Sequence, residues 1–481
     1  MLNIFIILGV VIATVVPLII CKNKLGEKKV ALILKILSIS LFVLAFLRSF
    51  LNDRFIWVIN GGTYGESYYK DKDVLQSLLR WGMTFAFIVY PCAAFYKKRI
   101  FKNWAIYFCL PVALVCLAYY DRFLYYFTTN SGRAIWAPEI VRHIEFSLEL
   151  IILIAFPILL RFCAGHKFDV KNKTEWAYFF GVLPFALLVT VPVTLPQSLF
   201  GFSKRYMKVF SLPHVLWLLT ILLILVVLYF TYRFKDRESR VSLCTFLALF
   251  LFLHYNQIYL MDFVMSRLPF QLCNLGSYLV LIAIIIKKPA FFDFVLLANV
   301  PGSMIAFCVP DVKEGMLSYW NIHFYIEHTW VFVIPLLMVA LRVVDRPKKS
   351  GFKHFFIGFT MYFMFCVISG LLANCVWYDP TSTFFNKVNY FYIFDTTVLK
   401  ALPFLAFTSK YPVTWGGYTF YPLYMLMIYI LYSVFCMVFY WFYLQLCKVG
   451  DDHFNVRNIK IASNIEKGRY RKRVPKQKYE D

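Results

Sequence analysis

From its first residue the chain is a succession of apolar runs of about 20 residues, each closed by a short polar connection. Within a run the apolar residues are continuous and do not alternate with polar ones as they do along a half-buried strand. Such a run predicts a transmembrane helix, because the hydrocarbon core is about 30 Å thick and a helix rises about 1.5 Å per residue. About thirteen spans are predicted, at 2–21, 30–50, 76–96, 104–124, 143–165, 176–196, 211–233, 242–262, 268–286, 290–310, 321–343, 354–374 and 418–446. Hydrocarbon offers the backbone no hydrogen-bond partner, so only helices or closed barrels cross it, and unbroken runs select helices. The predicted fold class is all-α: a polytopic membrane helix bundle of about thirteen transmembrane helices. The first run, "MLNIFIILGVVIATVVPLIIC", carries no basic n-region and no A-x-A cleavage pattern, so it is expected to remain as a helix.

Composition agrees with the pattern. Of 481 residues, 61% are hydrophobic and only 16% charged, against about 25% charged in soluble domains. Lys and Arg number 50 against 26 Asp and Glu, a formal charge of +24. In a soluble protein that excess would suggest nucleic acid. Here it sits between the runs, where it sets topology, and no nucleic-acid partner is expected. "KNKLGEKK", "KKRIFK", "HKFDVKNK", "RFKDRESR", the lysines at 287–288, "RVVDRPKK" and the C-terminal tail are basic, and they alternate with mixed or acidic connections. Only "SKRYMK" at 203–208 breaks the order. The alternation predicts a multi-pass cell-membrane protein with its N-terminus outside and its C-terminus cytoplasmic. The closing "RYRKRVPKQKYED" reads as an anchor to anionic headgroups, which makes membrane lipids the expected partners. Most of the twelve cysteines lie inside apolar runs, and neither CxxC nor a Cys/His metal spacing occurs, so no metal, cofactor or disulfide framework is expected.

An internal repeat is legible. Lys97, Lys98, Phe101, Pro111 and Asp121 recur as Lys287, Lys288, Phe291, Pro301 and Asp311 at one fixed offset. "RHIEF" around His143 parallels "IHFYIEH" around His323. The expected parts are an N-terminal helix in 1–29, a six-helix unit in 30–240, a second in 241–446 and a basic tail in 447–481. An even helix number gives both units one orientation, a parallel repeat. At the same offset Met83 stands where the second unit has Cys273, so the first unit reads as a degenerate, structural copy.

Chemistry is sought in the second unit. In "RLPFQLCNLGSY", Arg267–Tyr278, Cys273 falls about six residues inside its span, roughly 9 Å deep. Span eleven enters from the same side with His323 and His328 in its first two turns. His323 and Glu327, four apart, share a helix face, so the carboxylate can orient the imidazole. His323 and His328 stand roughly 140° apart around the helix and cannot both address one sulfur. An imidazole beside a thiol raises its thiolate fraction, and the chemistry favoured is acyl transfer through a thioester. The plain alternative is a packing cysteine with histidines anchored at the interface. On span eight, His254, Asn256 and Gln257 read as hydrogen-bonding between helices, with Asp262 solvated near the outer interface. The outer connection 375–417 carries Asp379, Asn389, Asp395, Lys400 and Trp415. Its apolar piece "TTVLKALPFLAF" is too short to span and reads as a re-entrant or interfacial cover.

The stretches "LPFQLCNLGSY", "PDVKEG", "IHFYIEH", "NYFYIF" and "WGGYTFYPLYML" together resemble the YwaF family of integral membrane proteins. Its animal relatives include transmembrane protein 164, a phospholipid acyltransferase of ether lipids. The resemblance covers about residues 245–446. It implies Cys273 as acyl acceptor and His323 or His328 as general base, with Glu327 beside them. Gln271, Asn274, Asn389 and Tyr390 fall at expected substrate-binding positions, and the implied partners are a lipid acyl donor and acceptor. The chain departs from the family in its additional N-terminal half, and in Gln271, where many members carry a histidine. The expected function is thus a membrane-embedded lipid acyltransferase or hydrolase. The rivals are a transporter or flippase without covalent catalysis, and an inactive scaffold.

Overall fold

A computed structural model describes residues 2–50, 74–120, 139–200, 207–260, 264–308, 310, 315–382 and 384–450. Eleven of the described helices are long and apolar enough to cross a membrane. The chain is an all-α polytopic bundle, as the runs predict. The two remaining predicted spans are shorter helices, Lys173–Val189 and Leu272–Ile286. Expectations that rest on Asp121, Asp262, Asp311 or the tail beyond 450 fall outside the described residues.

Contacts divide the chain into two compact units. The first comprises 1–206, 253–261 and 312–324; the second comprises 207–252, 262–311 and 325–481. The first contains α1 (Leu2–Ile20), α2 (Lys22–Leu47), α3 (Val74–Phe95), α4 (Arg99–Ala118), α5 (Glu139–Phe162), α6 (Lys173–Val189) and α7 (Thr194–Phe200). Gly26, at φ 69°, breaks α2 within the charged "KNKLGEKK". This left-handed backbone is one that glycine adopts at little cost. The core lies along α3 and α5, where Phe85, Tyr90, Phe146 and Phe156 are buried. Tyr90 stacks on Phe156 at 4.4 Å and donates its hydroxyl to the Leu153 carbonyl at 2.7 Å. Arg48, at the end of α2, reaches into this core and pairs with the fully buried Glu149 at 2.9 Å. A charge taken out of water needs such a partner.

The second unit contains α8 (Leu212–Tyr232), most of α9 (Arg237–Asn256), α10 (Leu272–Ile286), α11 (Pro289–Cys308), most of α12 (Tyr319–Ala340), α13 (Gly351–Leu371) and α14 (Pro422–Gly450). α8 shows how little of a membrane helix needs to be held by protein. Leu216, Leu219 and Leu223 face outward, while His214 and Ile221 are buried with Trp217 between them on one stripe. The His214 ring donates through Nε2 to the Phe307 carbonyl at 2.8 Å and accepts at Nδ1 from the Phe210 amide. Those two bonds select one neutral tautomer. Trp217 donates to Thr329 Oγ1 at 3.1 Å. α11 is buried over most of its length, and Tyr432 of α14 donates to its Ala298 carbonyl.

Two helix starts in the second unit differ from the sequence pattern. α10 begins at Leu272 and not at 268, because Leu268 precedes proline and is extended at ψ 150°. The last span begins at Pro422, since Val413–Trp415 and Tyr418–Phe420 pair as antiparallel strands β1 and β2 around Gly416 and Gly417. Both glycines have positive φ, as a two-residue hairpin turn requires. "TTVLKALPFLAF" forms short 3-10 turns at Thr397–Lys400 and Pro403–Lys410, with Phe404 and Phe407 exposed.

Two outcomes follow for the first unit. Arg48→Ala strands the buried Glu149 charge, so we expect a loss of about 3–5 kcal/mol in detergent-solubilised protein. Arg48→Ala with Glu149→Ala should recover much of it, and thermal unfolding of both variants checks this. The second concerns His166, which lies after α5; burial and the nearby Arg99, Lys102 and Arg161 cations push it down to about 4 from 6.5. The unfolded chain then binds the extra proton, so its stabilising contribution is full above 6.5 and is lost as pH falls toward 4. Unfolding temperatures taken from pH 7 to about 4 should decline, and less steeply in His166→Gln.

A polar site at the start of a short membrane helix

α10 has 15 residues, which span only about 22 Å of a core about 30 Å thick. The approach to it, residues 264–271, contains a 3-10 turn at Met265–Arg267 and extended backbone. Non-helical backbone at that depth needs polar partners from the protein. They come from the segment after α13. The Met265 amide donates to the Phe384 carbonyl at 3.0 Å, and the Ser266 amide donates to Asn386 Oδ1 at 3.0 Å. Tyr390, buried, donates its hydroxyl to the Met265 carbonyl at 2.6 Å. Tyr362 of α13 donates to the Phe270 carbonyl at 2.8 Å.

Gln271 is the central tie. Its amide nitrogen donates to the Asn389 carbonyl at 2.8 Å, and its oxygen accepts from the Phe391 amide at 2.9 Å. Asn389 uses its own Oδ1 to accept from the Phe394 amide. Of the predicted substrate-binding side chains, Gln271, Asn389 and Tyr390 therefore brace this segment. The brace holds Phe391 and Tyr392 at φ 54° and 55°, a left-handed conformation that costs a non-glycine residue about 1–3 kcal/mol. α13 ends in a π turn, Leu372–Trp377, whose Asn374 exchanges two hydrogen bonds with Val388.

Because Gln271 is occupied in this way, α10 starts without a side-chain cap. Cys273 sits in its first turn, half-buried, and donates its thiol proton to Asn274 Oδ1 at 3.3 Å. The Glu327 carboxyl is near enough to act on the sulfur electrostatically. Tyr362 and Tyr432 also lie within electrostatic reach of Cys273.

One turn deeper, bare Gly276 admits Asn299 of α11, whose Oδ1 stands 2.7 Å from where a Cβ would be. α10 and α11 are joined by two lysines and run antiparallel, so Ser303, one turn beyond Asn299, lies level with Cys273. Asn299 Oδ1 and Ser303 Oγ are buried and, among the described residues, have no hydrogen-bond partner. Sequence reasoning passed over Asn299, Ser303, Tyr362 and Tyr432. The signal for the first two was present: polar residues four apart in the apolar "LANVPGSM".

The residues expected on α12 divide between the units. Glu327 and His328 are buried in the second, with Cys273 and Asn274. His323 belongs to the first, where its ring stacks on His254 at 4.8 Å and its Nε2 bonds the Tyr255 carbonyl at 3.2 Å. His254 thus packs and hydrogen-bonds within the bundle, in the manner expected of span eight. Among the described residues no cluster of three His, Cys, Asp or Glu side chains is placed to hold a metal.

The helices and their lipid-facing exteriors define a multi-pass membrane protein. The TMEM164 family model matches residues 209–443, in the C-terminal part of the chain, which is thus similar to that family. No curated protein and no solved structure matches the chain.

The brace has a direct consequence. Gln271→Ala leaves the Asn389 carbonyl and Phe391 amide unpaired, an expected loss of about 1–3 kcal/mol. Hydrogen exchange of the amides from 384 to 394 should accelerate while the middle of α10 stays protected. Unchanged exchange there would mean that Gln271 is not the tie.

Proposed function

We propose that the second unit is a membrane-embedded acyltransferase that carries the acyl group as a thioester on Cys273. The observation that supports this most is the placing of that thiol. It stands at the uncapped N-terminal turn of α10, where Asn274 Oδ1 accepts a hydrogen bond from it. The positive end of a helix offsets part of the cost of a thiolate there, and a base must still take the proton. The match of residues 209–443 to the TMEM164 family model supports the same reading.

An imidazole of α12 takes the proton from Cys273, and Glu327 supports the imidazolium so formed. His328 is the candidate, since it lies in the same unit as Cys273. The thiolate attacks the carbonyl carbon of a lipid ester reaching the site from the bilayer. The ester C–O bond breaks, the departing oxygen takes the proton from the imidazolium, and a lysolipid leaves. A second lysolipid hydroxyl, deprotonated by the same ring, attacks the thioester; the C–S bond breaks and the thiol is restored. Water in place of that hydroxyl makes the enzyme a hydrolase. Ser303 Oγ, buried and without a partner among the described residues, is the candidate donor to the oxyanion.

A transporter or flippase is the second reading, favoured by the Arg48–Glu149 pair inside the first unit. Both readings meet in one experiment on the full chain in lipid nanodiscs with a labelled phospholipid donor and a lysolipid acceptor. Acyl transfer requires a hydroxylamine-sensitive adduct on Cys273 by mass spectrometry. It also requires a fall on the order of 10⁴-fold in Cys273→Ala. Replacing the acting histidine by Gln should lower transfer by roughly 10²–10⁴-fold. Lipid movement that survives Cys273→Ala, without any adduct in the native protein, would leave transport in its place.

A further inference from the structure

The first unit holds a second polar site, far in sequence from Cys273, in two of the connections that topology alone would account for. α5 ends at Phe162, and Gly165 at φ 67° turns the chain back. The resulting turn is tied to the start of α4: Arg99 Nη2 donates to the Lys167 carbonyl at 2.7 Å, and the Arg99 guanidinium pairs with Glu175 of α6. Between the turn and α4 is an open cavity of about 530 Å³, lined by Arg99, Lys102, Gly165, His166, Lys167 and Asp169.

The floor of this cavity is neutral and fixed. Asn103 donates to Glu175 Oε2 at 3.2 Å, so its Oδ1 is left to accept from His166 Nε2 at 2.7 Å. Nε2 therefore carries a proton, and burial with the nearby cations, which push the ring down to about 4, keeps it neutral at pH 7. Burial would push the Glu175 carboxyl up, but bonds from Arg99, the Asp169 amide and Asn103 hold it below the ordinary carboxylate range. That negative charge is spent on Arg99 and the floor. Around the rim, Lys102 and Lys167 add two cations against the single carboxylate of Asp169. Arg161 acts on the same ring. Aromatic rings mark the depth: Phe168 packs on Tyr107 at 5.6 Å and on Trp176 at 4.7 Å, and Tyr107 and Trp176 are exposed. Such amphipathic rings gather at the level of the lipid headgroups.

We propose that this cavity binds a phosphate group, presented by the headgroup of an acidic lipid or as free phosphate. Lysine ammonium groups suit phosphate as point charges, and a basic recess between membrane helices is the setting in which acidic headgroups lodge. The site is independent of the acyl-transfer reading.

The test uses the full chain in dodecyl maltoside and measures binding of dioctanoyl phosphatidic acid, dioctanoyl phosphatidylcholine and inorganic phosphate. Phosphatidic acid should bind saturably, and phosphatidylcholine about tenfold or more weakly. Lys102→Gln with Lys167→Gln should raise the phosphatidic acid Kd by about tenfold or more. Lys24→Gln with Lys28→Gln, outside the cavity lining, should change it by no more than about twofold. Inorganic phosphate competing with the lipid, with the same dependence on Lys102 and Lys167, supports a site for the phosphate itself. Binding of the lipid alone supports a headgroup site. If the double variant lowers the unfolding temperature, Lys167→Glu alone decides, with the same expected loss. Equal binding of phosphatidylcholine, or a response no larger than that of the Lys24 and Lys28 pair, overturns the proposal.

Discussion

A peptide group inside a membrane has no water to turn to, and α10 is too short to satisfy the crossing by itself. Its last eight approach residues, 264–271, therefore depend on hydrogen bonds from elsewhere. Residues 384–394 supply them, through Asn386, Tyr390 and above all the two-ended tie of Gln271. Much else in the second unit follows from this exchange. It stops the helix at Leu272, brings the first turn of α10 to Cys273, and fixes the strained pair Phe391 and Tyr392 above it.

The same arrangement gives the polar surroundings of Cys273 their meaning. A glutamine that caps its own helix would spend its oxygen on the first-turn amides; here the oxygen faces Phe391 instead. The first turn of α10 is left without a side-chain cap. Gly276 then admits Asn299 to a distance that any side chain at 276 would forbid, and Ser303 follows on the same face of α11. A cysteine in an apolar helix is ordinarily a small hydrophobe. With a carboxyl, two phenols and two buried polar side chains disposed near it, this one stands in a different environment.

The first unit uses charge in two ways. Inside the bundle Arg48 is matched to Glu149, which allows a charged group where lipid would exclude it. At the membrane surface Arg99, Asn103, His166 and Glu175 form a hydrogen-bonded floor with further cations above it. Positive connections orient a membrane protein whatever their shape. Their folding around an open cavity is an additional property that orientation does not require.

How much of this was legible depended on the range of the interaction. Continuous apolar runs determine helices by themselves, since each run satisfies its own backbone, and the all-α bundle and most spans could be read directly. The hairpin around Gly416 and Gly417 was also legible, in the "VTWGGYTF" alternation that the apolar run beginning at 418 concealed. The thiol, Glu327 and the histidines of α12 stand out as residue types. Which of them meet is a matter of helix rotation and of pairings more than 100 residues apart, such as Gln271 with Asn389. No periodicity encodes such a pairing, because the hydrogen bond is made only after two distant segments have been placed. Sequence alone thus determined what crosses the membrane and which groups are chemically able. Tertiary structure decided where α10 begins, what surrounds Cys273, that His323 and His328 belong to different units, and that the basic connections line an open cavity.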